Sequence, residues 1–219
     1  MIVFGTVCGF PEKLATQCAP GIARSMNGEP YTHLVEKSNG REIFSPYHTL
    51  MVSACSEFGV GDPAHGNALV LLHDDLEFQD VALASKIRTL MTDPTIAVAG
   101  LIGSVGAKSL AWWEGLRRGR VTDLAYGLHD FWGLESDVDA LDGMCLILSP
   151  WACNHLRLRD LGYEGFHGYA DELCRQARKL GKRTIVTDIT AFHHSRGGYA
   201  GGVETWTAAN ENFRKRWLT

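Results

Sequence analysis

A chain of 219 residues with 45% hydrophobic and 21% charged side chains can bury one substantial core, which excludes a disordered protein, a collagen-like repeat and a disulfide-stapled miniature. Its 21 basic against 25 acidic side chains leave a net charge of −4, which argues against a generally basic nucleic-acid binder while leaving room for a local anion site. The six cysteines form no Cys-x-x-Cys pair and several lie in apolar runs, a pattern of free buried thiols in a reducing compartment rather than of a zinc ribbon.

Residues 2–8 are apolar and β-branched, as in a strand buried on both faces, and a helix is expected from Pro11. A second strand is read over 32–36. Ser45 and Pro46 then read as the N-cap and first residue of a helix that Gly59 closes. The run 68–72 is a further buried strand, and it stops abruptly at His73-Asp74-Asp75. A helix over about 80–91 and a strand over 96–99 complete an alternation that predicts an α/β domain with a mostly parallel sheet flanked by helices. From 100 to 136 the periodicity fades into glycines, arginines and tryptophans, read as an irregular segment lining a site. A strand over 144–148, a helix near Pro150, a helix over 170–180, a strand over 183–187 and a helix over 203–217 follow. The first residues, MIVFGTVCGF, lack the basic segment of a signal peptide, and no stretch reaches the ~18 apolar residues of a membrane span, so a cytoplasmic chain is expected.

Three motifs carry chemistry. In LVLLHDDLE a buried strand delivers two adjacent carboxylates beyond its carboxyl end, where open α/β sheets bind ligands, and adjacent carboxylates suit a hard divalent cation such as Mg2+ or Mn2+. The plainer reading is a solvated acidic turn. In GFHGYADELC, Asp171 and Glu172 open a helix, either as simple first-turn acids or as a general base. In TDITAFHHSRGG a strand ends in His193 and His194, which are either ordinary packed histidines or the imidazole that completes a metal site. Trp112 and Trp113 can stack on a sugar ring, although core packing is the commoner use of tryptophan. The basic runs at 117–120 and 214–216 read first as solvated surface.

Taken in order, LVLLHDDLEF, LDGMCLILSP, GFHGYADELCRQARKLGKRTIVTD, FHHS and NENFRKRW resemble the GT-A-fold glycosyltransferases of the large family-two group, in particular its streptomycin-biosynthesis-type branch. That resemblance covers about two thirds of the chain. It implies a single Rossmann-like GT-A domain over 1–219, with a nucleotide-binding half over about 1–100 and an acceptor-binding, catalytic half over about 101–219. It further implies transfer of a sugar from a nucleotide-sugar donor, with inversion and with a divalent metal, Mn2+ or Mg2+. Asp75 would be the metal carboxylate, Asp74 would hold the ribose or the metal's water, and His193 or His194 would be the later ligand. Asp171 or Glu172 would be the base, Asp142 would lie near the donor sugar and acceptor, and Thr6, Cys8 and Glu36 would cradle base and ribose. The segment departs from the family pattern at Ala170, which stands where a first acid is usual. A small molecule or glycan is the favoured acceptor, a modified DNA base is a further one, and the oligomeric state is left open. The competing classes are a sugar nucleotidyltransferase, disfavoured because no glycine-rich basic loop follows the first strand, and a non-catalytic nucleotide- or sugar-binding module.

Overall fold

The structure, a computed structural model, describes residues 1–38, 40–62 and 66–218. In chain order its first elements are β1 (Ile2–Cys8), α1 (Pro11–Lys13), a π turn (Leu14–Cys18), α2 (Ala19–Met26), β2 (Tyr31–Lys37), α3 (Phe44–Phe58), β3 (Ala68–His73), β4 (Leu76–Phe78), α4 (Leu83–Met91) and β5 (Ile96–Gly100). There follow β6 (Ile102–Val105), a 3-10 turn (Trp112–Glu114), β7 (Leu116–Asp123), β8 (Gly127–Asp130), β9 (Ala140–Leu141) and β10 (Cys145–Leu148). The chain continues with α5 (Pro150–His155), α6 (Tyr169–Lys179), β11 (Arg183–Val186), β12 (Ala191–His193) and α7 (Gly202–Trp217).

The apolar runs of β1 and β3 decide the centre, because strands so uniformly hydrophobic are stable only with both faces covered. They pair in parallel within a sheet of order β11-β5-β10-β3-β1-β2. Alternate residues serve the two faces: Val3, Leu69, Leu71 and Leu146 pack with Tyr47, Leu50 and Leu173. Phe4, Val70, Leu72 and Ile147 pack instead with Ile22, Met26, Leu83 and Ile87. Helices therefore cover both faces, as expected. The sheet is mostly parallel, as expected, but not purely so, since β10 lies antiparallel between β3 and β5. The reason is topological: the chain leaves β5 at its carboxyl end, makes an excursion, and re-enters from the same end.

That excursion does correct one expectation. Residues 100–136 are not irregular; they supply β6, β7 and β8 to a second sheet of order β4-β12-β7-β6-β9, with β8 paired to β7. Helix α3 also begins earlier than its Ser-Pro pair predicts. The Glu42 carboxylate accepts from Ser45 N at 2.9 Å, so Ser45 is already helical. Gly59 closes α3 in the left-handed conformation (φ 62°), as the sequence signals, and Ser149 caps α5 just before Pro150. All six cysteines are free thiols. Among the described residues no helix is long and apolar enough to cross a membrane.

Candidate active site

Asp74 and Asp75 form the two-residue turn by which the chain passes from β3, in the first sheet, to β4, in the second. β4 pairs antiparallel with β12, and β12 runs parallel to β7, so His193 stands between Leu76 and Asp123. This register makes the site. Asp75 Oδ1 lies 3.3 Å from His193 Nε2, and Asp123 Oδ2 lies 2.9 Å from His193 Nδ1. Burial disfavours a charged imidazole here, but the hydrogen bonds to Asp123 and Asp75 outweigh it and raise the His193 pKa to about 9. Burial likewise opposes the Asp75 charge, yet His193, His73 and Lys13 together hold its carboxyl well below the usual range. Lys13 Nζ sits 2.9 Å from Asp75 Oδ2.

The two acids of the turn have different tasks. Asp74 Oδ2 accepts from the backbone N–H groups of Gly9 and Phe10 at 2.7 and 2.6 Å, which fixes the loop after β1. Asp75 faces two imidazoles: one donor atom each from His73, Asp75 and His193 lies within 4.8 Å of the others. His193 Nε2 is buried and turned toward Asp75 Oδ1 at 3.3 Å, and its other nitrogen is oriented by Asp123, the arrangement of a metal-ligating imidazole with a carboxylate behind it. His73 Nε2 is tied to the Tyr169 hydroxyl at 2.8 Å, and that hydroxyl donates to the Gly143 carbonyl at 2.7 Å. A Cβ at Gly143 would overlap the hydroxyl. The donor set therefore fits a divalent cation. His194 is not part of it: its Nε2 is 2.8 Å from Glu77 Oε2.

The acids of α6 also part company. Asp171 is buried, its Oδ1 has no hydrogen-bond partner, and burial raises its pKa well above the usual carboxylate range. Glu172 is fully buried and faces α7, where it binds Arg216 at 3.0 Å, accepts from Trp217 Nε1 at 2.8 Å and meets Tyr163 and Gln176. Its carboxylate anchors the last helix, and Arg216, expected on a solvated basic run, is the partner. Asp142 accepts from Met144 N and from Trp112 Nε1, both at 2.9 Å. Trp112 thus orients an acid, whereas Trp113 is exposed beside Tyr199 and Trp206, with ring centroids 6.5 and 6.3 Å away.

Thr6 is buried, its hydroxyl 3.0 Å from His33 Nε2, and so faces away from solvent. Cys8 and Glu36 lie at the neighbouring carboxyl ends of β1 and β2. The sequence reading passed over His73, Lys13 and Asp123. His73 adjoins the acidic pair and Lys13 follows the first strand, but Asp123 reaches the site only through the β7–β12 register.

A mixed α/β domain with a carboxylate–imidazole cluster where two sheets meet is thus the class of protein that fold and site define. Over 209 residues the chain is 30% identical to the streptomycin biosynthesis protein StrF of Streptomyces griseus, spanning 94% of this chain and 71% of that protein; it belongs to the StrF family. It is also 29% identical over 161 residues to ORF 6 of the ATP synthase subunits region of Fuscovulum blasticum, spanning 68% of this chain and 56% of that one. No protein-family model matches the chain. Among solved structures the fold is similar to that of A197 from STIV (TM-score 0.51, 10% identity, 89% of this chain and 85% of that one). The mannosyltransferase PcManGT from Pyrobaculum calidifontis, solved with GDP-Man and Mn2+, superposes with a TM-score of 0.49 at 14% identity over 99% of this chain and 61% of that one.

Proposed function

We propose that the chain is a metal-dependent glycosyltransferase that moves a sugar from a nucleotide-sugar donor to an acceptor hydroxyl, with inversion at the anomeric carbon. The observation that carries this reading is the convergence of His73, Asp75 and His193, with the buried His193 Nε2 facing Asp75 at its centre. The motif order from Leu69 to the last helix, which resembles family-two glycosyltransferases, supports it.

On this reading the first hundred residues hold the donor. Cys8 and Glu36, at the ends of β1 and β2, frame the nucleotide, and Asp74 keeps the Gly9–Phe10 turn in place beneath it. Asp75, His193 and His73 hold the cation, while Asp123 fixes the His193 tautomer and Asp74 and His194 serve as scaffold. A bound divalent cation offsets the negative charge that develops on the departing nucleoside diphosphate. Lys13, already at Asp75, adds a positive charge on the same side.

Asp171 is the base. It takes the proton of the acceptor hydroxyl as the acceptor oxygen bonds to the anomeric carbon and the bond to the diphosphate oxygen breaks. A carboxylate whose pKa is lifted by burial is the stronger base once ionised. Asp142, steadied by Trp112, positions the reacting sugar, and Trp113 stacks on the acceptor. The test is thermal stabilisation by UDP, GDP, CDP and dTDP, each with Mn2+, with Mg2+ and with chelator. A shift that needs both metal and one nucleotide, and that Asp75→Asn abolishes, supports the reading; the same shift without metal, or in Asp75→Asn, refutes the metal assignment. Asp171→Asn should then bind donor without transferring sugar.

A further inference from the structure

The hairpin of β7 and β8 projects from the second sheet, and its strand alternation sorts its side chains. Gly119, Val121 and Asp123 turn inward, while Leu116, Arg118 and Arg120 turn outward. Arg120 stands opposite Asp130 and Thr122 opposite Leu128, so the outer face of β8 continues that of β7. Trp132 follows, tied to the hairpin by its carbonyl, which accepts from Gly119 N at 3.0 Å. Leu116, Leu128 and Trp132 are 59%, 65% and 81% exposed, and Leu124 at the turn is exposed as well. Single exposed leucines need no explanation; several large apolar side chains gathered on one short hairpin do.

Two further observations bear on what covers this face. Trp132 has φ 61°, a left-handed backbone that a bulky aromatic rarely adopts, so local strain is sustained at the residue whose indole is thrust into solvent. Arg118 and Arg120 lie among the apolar groups, and among the described residues neither is held in an ion pair; Arg118 donates to the Arg117 carbonyl. Leucine and tryptophan interleaved with arginine is the composition of a surface that enters a lipid interface, with apolar groups below the headgroups and guanidinium groups among the phosphates. A symmetric contact with a second copy would instead press Arg118 and Arg120 against themselves, with Asp130 the carboxylate opposite Arg120 to offset them. A nucleic acid would match the arginines and leave the leucines in water.

We infer that the outer face of the β7–β8 hairpin, with Trp132, docks on an anionic lipid surface. No part of this depends on how the His73–Asp75–His193 cluster is read.

The experiment is co-sedimentation of the full chain with phosphatidylcholine vesicles, with and without about one third phosphatidylglycerol, at rising salt. Binding is expected to the anionic vesicles, weakening with salt. The double variant Arg118→Gln, Arg120→Gln should lower the partition constant about thirtyfold. Trp132→Asn, which suits a left-handed backbone and preserves the fold by circular dichroism, should also lose most of the binding. Failure of the parent chain to pellet with anionic vesicles overturns the inference, as does unchanged binding by both folded variants. A dimer in light scattering that Leu128→Ser dissociates would overturn it in favour of self-association.

Discussion

Asp123 and His193 face each other across neighbouring parallel strands, Oδ2 to Nδ1 at 2.9 Å, and that one hydrogen bond settles which imidazole nitrogen looks into the candidate site. Asp123 touches neither Asp75 nor any proposed substrate and acts through His193, so it is a positioning residue. Asp123→Asn leaves a similar shape but removes the charge that fixes the tautomer. Mn2+ affinity in the presence of the preferred nucleoside diphosphate should fall about 10- to 100-fold by calorimetric titration. Unaltered affinity would remove Asp123 from the site's support.

Glu172 and Arg216 make a different kind of pair. The carboxylate is fully buried and also accepts from Trp217, so Glu172→Ala leaves a cavity and takes from the last helix the hydrogen bonds of Arg216 and the Trp217 indole N–H. A loss on the order of 3 kcal/mol is expected. Scanning calorimetry should then show a fall in Tm on the order of 10 °C. If Glu172 were instead the general base, the variant would lose turnover and keep its Tm.

Cys55 opens on a pocket of about 570 Å³ that Arg157 and Arg159 also line. A hydrogen bond from Cys153 lowers its pKa to about 7, against the effect of burial and with help from Arg157. The buried Cys18 is raised to about 12, and Cys145 and Cys174 are also raised by burial. Because the thiolate is the reactive form, iodoacetamide should label Cys55 first, at a rate that rises with pH and reaches half its plateau near pH 7. Peptide mass spectrometry follows this directly; a midpoint near pH 9 would show that Cys55 is an ordinary thiol.

Gly119 and Gly127 both have left-handed backbones, φ 90° and 77°, but only at Gly119 would a Cβ overlap a neighbour, the Leu101 carbonyl. Gly127→Ala should cost about 1 kcal/mol of conformational preference. Gly119→Ala adds overpacking and should cost at least about 3 kcal/mol. Urea midpoints at constant m compare the two, and equal midpoints would contradict the close approach of β6 and β7.

What was legible in the sequence follows from what local pattern encodes. β1 and β3 announce themselves because strands covered on both faces must be continuously apolar, and the switch from Leu72 to Asp74 marks where cover ends. α6 has a plain apolar stripe. β7 does not: Arg117, Arg118 and Arg120 face solvent or a neighbouring ring, and Gly119 is small because another strand's carbonyl lies over it. Its signal is a long-range contact, and the sequence pattern carries no trace of it. The antiparallel entry of β10 is hidden for the same reason, since orientation depends on where the preceding excursion returns. In the site, Asp75 and His193 stand out by lying at strand ends. The division of labour between Asp171 and Glu172 turns on which way α7 docks, and two adjacent helical acids look alike until it has docked.

His73 closes the first sheet and His193 the second, and their rings lie 5.6 Å apart across the seam. A ligand that grips both imidazoles is consequently a rivet between the two sheets. Sliding one sheet on the other would pull the rivet's ends apart, so occupancy and the mechanical rigidity of the seam rise and fall together, and amides of β4, β7 and β12 should exchange with solvent more slowly whenever the rivet is in place.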